Sequence, residues 1–379
     1  MSAAAPARVA FLLPSIRGGG MERLVSILLR GLDRSRFDVE LVVLHRRGEN
    51  AAVRDALPDH VRITYFDKRS RLDAVRVLPR LVRHLRASPP SLAVGFMTYP
   101  NLMLLAAARM LPGRLPVVAT EHVTPDALRA TAGKRAQLWL AGRLYPGAAA
   151  VVAVSEGLRG ALIAELHLPP ARVRTIYNPF DPEIDAMAAP SEPPHPWLVD
   201  GQPVLVAVGR LAQQKAYPNL LRALALVRRE VPARLLVLGD GEERAALEAL
   251  AAELGVAEAA RFLGYVANPF PYMRQATAFV LASDWETMGF VLVEAARVGA
   301  AIVATDVEFG PNEIIEPERS GLLVPPADPR ALADAILRIL RDPEFGQRLR
   351  AGAIERAERF TPAASVAAYA DLFQAVIRR

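Results

Sequence analysis

The chain of 379 residues contains no cysteine. That excludes disulfides, zinc–thiolate sites, iron–sulfur clusters and cysteine nucleophiles, and it fits a reducing compartment. Lysine is nearly as scarce. Lys68, Lys134 and Lys215 are the three present, and the other 43 cations are arginines. Aromatic residues make up 6%, few for the stacking platforms that bind single-stranded nucleic acid. No clean apolar run approaches the ~20 residues that cross a bilayer. The first apolar run, 9–14, is too short for the core of a secretory signal. These absences predict a cytoplasmic protein.

What is there is the balance of a globular protein: 52% hydrophobic and 23% charged residues. The length suits two domains. The net charge is +6 and the pI about 9.9, but the charge is uneven. Residues 1–200 hold 26 Lys and Arg against 18 Asp and Glu, whereas residues 201–379 hold 20 against 22. Short β-branched runs at 8–14, 39–44, 61–66, 92–97, 116–120, 149–155 and 173–178 alternate with helical patterns. A second series follows at 204–210, 234–239, 260–264, 278–283, 301–305 and 321–324. Continuous apolar runs suit parallel strands covered on both faces. The alternation with helices predicts α/β, doubly wound domains. Between the two series, residues 178–203 carry seven prolines and read as a linker. The expected organisation is therefore a first domain over 1–180, a linker over 181–203 and a second domain over 204–360. The last helix, 361–379, is expected to pack back on the first domain. Ligands of such sheets bind at carboxyl strand edges and helix N-termini, so a cleft between two such edges is expected.

Three segments carry candidate chemistry. In Ser283-Asp-Trp-Glu-Thr-Met-Gly-Phe-Val-Leu-Val-Glu294, a strand exit bears Glu286 and a helix bears Glu294. The backbone around Gly289, Phe290 and Val291 opens that helix, which suits a phosphate or polar sugar. Carboxylates accept hydrogen bonds from vicinal hydroxyls, so a sugar nucleotide fits. Two solvated or helix-capping glutamates fit as well. In Gly209-Arg-Leu-Ala-Gln-Gln-Lys215, Arg210 and Lys215 can clamp a diphosphate through charge-assisted hydrogen bonds, although cations are usually solvated. In Ser15-Ile-Arg-Gly-Gly-Gly-Met-Glu22, the glycines permit close backbone approach to a ligand or simply a flexible turn.

In this order and spacing the segments resemble glycosyltransferase family 4, retaining enzymes of the GT-B fold with two Rossmann-like domains facing across a cleft. Further carriers of the resemblance are Val152-Ala-Val-Ser-Glu-Gly157, Ile176-Tyr-Asn-Pro179, Leu238-Gly-Asp-Gly-Glu242, Phe262-Leu-Gly264, Thr305-Asp306, Gly310-Pro-Asn-Glu-Ile314 and Gly321-Leu-Leu-Val-Pro325. The resemblance implies that Arg210 and Lys215 hold the donor diphosphate. Glu286 binds donor-sugar hydroxyls at the reaction centre, and Glu294 binds the ribose. Gly18 and Gly19 close over the phosphates. His122, in Thr120-Glu-His122, stands near donor sugar and acceptor. Thr287, Ala216 and Ala301 depart from the family pattern, which more often has glycine, glycine and proline there.

The implied reaction moves a hexosyl or N-acetylhexosaminyl group from a nucleotide sugar, expected to be a UDP-sugar, with retention of configuration. No cofactor and no metal are expected. The sequence has no Asp-x-Asp pair, and Arg210 and Lys215 would neutralise the leaving diphosphate. The acceptor is expected to be a glycan or a polyprenyl-diphosphate-linked sugar of the cell surface. Domain closure across 178–203 would exclude water. The basic amphipathic segment 68–86, with Arg76, Arg80 and Arg83, suits an anionic membrane surface. It suits equally a surface helix whose apolar stripe packs on the sheet. Peripheral attachment at the inner face of the cytoplasmic membrane is therefore an expectation. Lys134 and Arg135 near Trp139 add to it. Pro79 is expected to kink or divide the helix. The competing readings are a GT-B nucleotide-sugar 2-epimerase and a non-catalytic nucleotide-sugar or membrane-surface binding protein. A nucleic-acid partner is not expected.

Overall fold

The computed structural model describes residues 5–17, 19–46, 48–55, 57–66, 74–189 and 194–378. All thirteen expected strands form. The first seven are β1 (Ala7–Leu13), β2 (Phe37–Val43), β3 (Arg62–Tyr65), β4 (Leu92–Phe96), β5 (Val117–Glu121), β6 (Ala150–Ala153) and β7 (Val173–Thr175). They pair in parallel in the order β3-β2-β1-β4-β5-β6-β7. The other six are β8 (Val204–Val208), β9 (Arg234–Leu238), β10 (Ala260–Gly264), β11 (Ala278–Leu281), β12 (Ile302–Thr305) and β13 (Leu322–Val324). These run β10-β9-β8-β11-β12-β13, again parallel. Each sheet thus has the doubly wound order, in which the direction of strand addition reverses beside the first strand. The reversal lies between β1 and β4 in one sheet and between β8 and β11 in the other.

The chain divides into two compact units: Met1–Asn178 with Pro362–Arg379, and Pro179–Thr361. In the first, the helix Pro362–Ile377 lays Tyr369, Leu372, Phe373 and Val376 into the core of the seven-stranded sheet. The Phe373 ring lies 6.0 Å from both Phe11 and Phe37 in edge contacts. Gly31 faces this helix so closely that a Cβ there would sit 2.7 Å from Val366. The span Pro343–Ile377 is long and apolar enough to cross a membrane by length and composition, contrary to the expectation that no such stretch exists. It is two helices, broken at Glu358–Phe360, and the apolar face of the second is consumed in the core.

In the second unit, the described residues of 179–189 and 194–203 are fastened by side chains. Arg297 holds Asp185 (Nε to Oδ1, 2.9 Å) and Glu358 and lies over the Phe180 ring. Asn268 Nδ2 donates to Met187 O at 2.8 Å, and Tyr272 OH to Pro194 O at 3.0 Å. Arg234 and Arg261 lie over Trp197. The described part of this stretch forms the short helix Ile184–Met187 and a turn of 3-10 helix at Pro196–Leu198, and it is packed rather than free.

Candidate active site

The richest cluster forms at the carboxyl edge of the second sheet, beside its reversal. Lys215 leaves β8 through the turn Gln213–Lys215, and Glu286 follows β11. Seventy-one residues apart in the chain, Lys215 Nζ meets Glu286 Oε1 at 2.6 Å. Ser283 Oγ donates to the same oxygen at 2.8 Å. Both ions are largely withdrawn from water, with side-chain exposures of 17% and 7%. Such a pair persists because each charge compensates the other's desolvation. The two loops are also stitched through Gln214. Its carbonyl accepts the Asp284 N–H at 2.9 Å, and its Nε2 donates to Trp285 O at 3.0 Å.

The glycines around this cluster have steric reasons. A Cβ on Gly239 would lie 1.9 Å from Gly209 O, and one on Gly241 would lie 2.3 Å from Leu211 O. The β8 and β9 exits can touch only because both residues lack side chains. Gly310 (φ +95°) packs on the backbone of the loop before the helix that follows β11, where a Cβ would meet Met288 O at 2.2 Å. Ala216, where the family favours glycine, takes a left-handed conformation at φ +45°, which costs an alanine about 1–2 kcal/mol.

Gly289 (φ +80°) opens the helix Phe290–Arg297. Phe290 and Val291 form its first turn, and Glu294 lies buried one turn in. The positive end of the helix dipole lies at Gly289. Arg210 differs from Lys215. It is exposed, and its ion partner is Glu242 at 3.7 Å, so it is not drawn into the Lys215–Glu286 contact.

The first unit holds the remaining candidates at the carboxyl edge of its own sheet. Gly18 lies outside the described residues. The Gly19 N–H is donated to Glu22 Oε2 at 3.2 Å and the Arg17 N–H to Glu22 Oε1 at 3.3 Å, so the loop is held by a carboxylate from its own helix. His122 follows β5. It is half-exposed at the surface, yet crowded by enough protein atoms that burial pushes its pKa down to about 4. The imidazole is therefore neutral at physiological pH.

Next to it the structure reveals a group with no sequence signal beyond an acid at a strand end. Glu121 is 1% exposed. It accepts hydrogen bonds from Thr98 Oγ1 (3.0 Å), Asn101 Nδ2 (3.1 Å) and Tyr145 OH. All three donors are neutral. Burial dominates and pushes the carboxyl up to about 7. Gly95 makes room for this group, since a Cβ there would collide with Asn101 Oδ1 at 2.3 Å.

The helix Ala74–Ala87 runs unbroken through Pro79. Its apolar residues Val77, Leu81 and Leu85 are buried in the unit. Arg76 and Arg83 are exposed. Arg80 turns back to donate to Phe66 O at 2.8 Å and lies over the Phe66 ring. Lys68 and the rest of 67–73 lie outside the described residues. The exposed apolar side chains nearest in kind are Trp139 (57%) and Leu140 (38%). They lie on the helix Ala132–Leu144, which also carries Lys134 and Arg135. Arg143 lies over the Trp139 ring.

Two doubly wound units, one with an ion-paired lysine and glutamate at a sheet edge before a glycine-opened helix, define a GT-B glycosyltransferase. The model of Glycosyltransferase Family 4 matches residues 18–184, and that of Glycosyl transferases group 1 matches 202–342. The chain belongs to glycosyltransferase family 4. It is 26% identical to the N-acetylgalactosamine-N,N'-diacetylbacillosaminyl-diphospho-undecaprenol 4-alpha-N-acetylgalactosaminyltransferase of Campylobacter jejuni, over 91% of this chain and 93% of that one. It is 36% identical to the lipopolysaccharide core biosynthesis glycosyltransferase LpsD of Rhizobium meliloti, over 45% of this chain and 49% of that one. Among solved structures, Anabaena HepE in complex with UDP and glucose superposes with a TM-score of 0.82 at 22% identity, covering 97% of this chain and all of that one. That likeness is one of fold.

Proposed function

We propose that the protein transfers a hexosyl or N-acetylhexosaminyl group from a UDP-sugar to a polyprenyl-diphosphate-linked or other cell-surface glycan acceptor, with retention of configuration and without a metal. The observation that carries this reading is the Lys215–Glu286 pair at the reversal of the second sheet. An ammonium there neutralises charge gathering on the departing diphosphate, and stabilisation of that kind is usually the largest catalytic term. Glu286 accepts from donor-sugar hydroxyls, and Glu294 from the ribose. Gly289, Phe290 and Val291 direct the helix end at the diphosphate, and Arg210 supplies a second cation from the rim. Gly18, Gly19 and His122 act from the first unit. The acceptor class is supported by the Campylobacter relative, whose acceptor is a diphospho-undecaprenol glycan. Metal independence is part of the proposal because Lys215 and Arg210 would supply at the diphosphate the positive charge that a metal would otherwise bring.

The test is a transfer assay with UDP-hexoses and UDP-N-acetylhexosamines on polyprenyl-diphosphate-linked saccharides, with product anomers read by NMR. Activity that survives EDTA and yields the donor's anomeric configuration supports the reading. An inverted product, or strict dependence on an added divalent ion, sinks it. Free epimerised sugar nucleotide formed without acceptor would replace it with the epimerase reading.

Attachment to the inner face of the cytoplasmic membrane belongs to the same proposal. It is supported by the exposed Arg76 and Arg83, and by Lys134 and Arg135 beside Trp139. Because the apolar face of 74–87 is buried, attachment through that helix is electrostatic, at about 1 kcal/mol per cation. Binding to anionic vesicles that fails to weaken in high salt would contradict it.

A further inference from the structure

The neutral His122 has two ring nitrogens, and its neighbour two residues back distinguishes them. Thr120 is fully buried on β5. Its hydroxyl carries one proton, and it donates that proton to Gly95 O at 2.9 Å. The same oxygen stands 3.4 Å from His122 Nε2. With its proton committed to the closer carbonyl, Thr120 Oγ1 presents a lone pair to the ring. A lone pair on Nε2 would repel it, and a proton on Nε2 satisfies it. Burial removes water as an alternative partner for the hydroxyl.

The residue is also held from behind. Asn101 Nδ2 donates to Thr120 O at 2.8 Å and to Glu121 Oε1 at 3.1 Å, tying down the two residues that precede the histidine. The Phe96 ring lies 6.5 Å from the imidazole. The strand exit that leads to the histidine is thus fixed at Thr120 and Glu121.

We infer that Thr120 is a positioning residue that locks His122 in the Nε2–H tautomer, so that Nδ1 is a hydrogen-bond acceptor for a hydroxyl of the reacting sugars. The second half rests on the proposed placing of His122 at the reaction site; the first half does not. In this role His122 takes no proton in the resting enzyme. It orients a hydroxyl by accepting from it, a task an imidazolium cannot perform.

The experiment is long-range proton–nitrogen correlation NMR on the full-length protein labelled with nitrogen-15, at pH 7. The six histidines are sorted by the signals lost in His122→Phe. Expected for His122 is a pyrrole-type Nε2 and a pyridine-type Nδ1. Thr120→Ser keeps this pattern and near-normal transfer. Thr120→Val keeps the shape but loses the oxygen; it mixes the tautomers and slows transfer about tenfold, with the donor KM little changed. A wild-type imidazole protonated on Nδ1, or an unaltered pattern in Thr120→Val, overturns the tautomer lock even if transfer activity is normal. Full transfer by His122→Phe overturns the role of Nδ1, and with it the placing of His122 at the site, whichever tautomer is seen.

Discussion

Each unit buries a glutamate at the exit of a central strand, and the two are solved in opposite ways. Glu286 meets an ammonium and a hydroxyl. Glu121 meets three neutral donors and no cation. The same fold thus makes one site that pairs opposite charges and one that holds a proton up to about neutral pH. The contrast runs against overall charge. The unit with Glu121 holds 28 Lys and Arg against 14 Asp and Glu, while the unit with Lys215 holds 18 against 26. A residue's protonation is set within a few ångströms, where solvent screening is weak, and not by the net charge of its domain.

The comparison breaks most sharply at the ion pair. Glu286→Gln is expected to lower transfer about 100- to 1000-fold, with circular dichroism unchanged. Lys215→Met should do as much and also destabilise the protein by about 3 kcal/mol, because it leaves a buried carboxylate without its cation. Adding Glu286→Gln to Lys215→Met should return most of that stability. A double variant melting lower than Lys215→Met alone would refute the coupling.

Gly310→Ala is a purely steric challenge to the same unit. A left-handed φ and a 2.2 Å approach to Met288 O should cost about 3 kcal/mol. Donor affinity should fall as the loop carrying Met288 is displaced, which calorimetric titration with UDP would read.

Glu121 sharpens the other side. Its carboxyl is raised from 4.5 to about 7 in the folded protein. Between those values the native state holds a proton that the unfolded chain has released. Stability should therefore fall as pH rises through that window, by up to about 3 kcal/mol at ~1.4 kcal/mol per unit. Urea melts at pH 5 and pH 8 measure it. Glu121→Gln should flatten this part of the profile, and a slope that persists in the variant would clear Glu121 of responsibility. The smallest effect is expected at the surface. Arg76→Gln with Arg83→Gln should weaken binding to anionic vesicles by about 2 kcal/mol and leave transfer to a soluble acceptor analogue unchanged.

Much of this was legible in the residues. The β-branched runs marked every strand, because parallel strands covered on both faces leave little room for polar interruption. Lys215, Glu286 and Glu294 stood out because they fall at strand exits and helix starts. Other features were not legible. Segment 179–203 reads as a free linker, yet Asp185, Phe180 and Trp197 dock it through arginines that lie far along the chain. Arg80 is exposed as expected, but its guanidinium is engaged by Phe66, a partner no periodicity indicates. Glu121 lies between two quoted residues and had no pattern of its own, since its partners Thr98, Asn101 and Tyr145 are scattered and individually ordinary.

The sequence by itself determined the order of strands and helices, the two-unit plan, the family and the identity of the charged candidates. Local periodicity and spacing suffice for these. Only the tertiary structure decided which charges are paired and which protons are held. It joined Lys215 to Glu286 across 71 residues, gave Glu22 to the glycine loop, left Glu121 among neutral donors and made His122 neutral. Hydrogen-bond geometry and desolvation fix these states, and both depend on neighbours that meet only when the chain is folded.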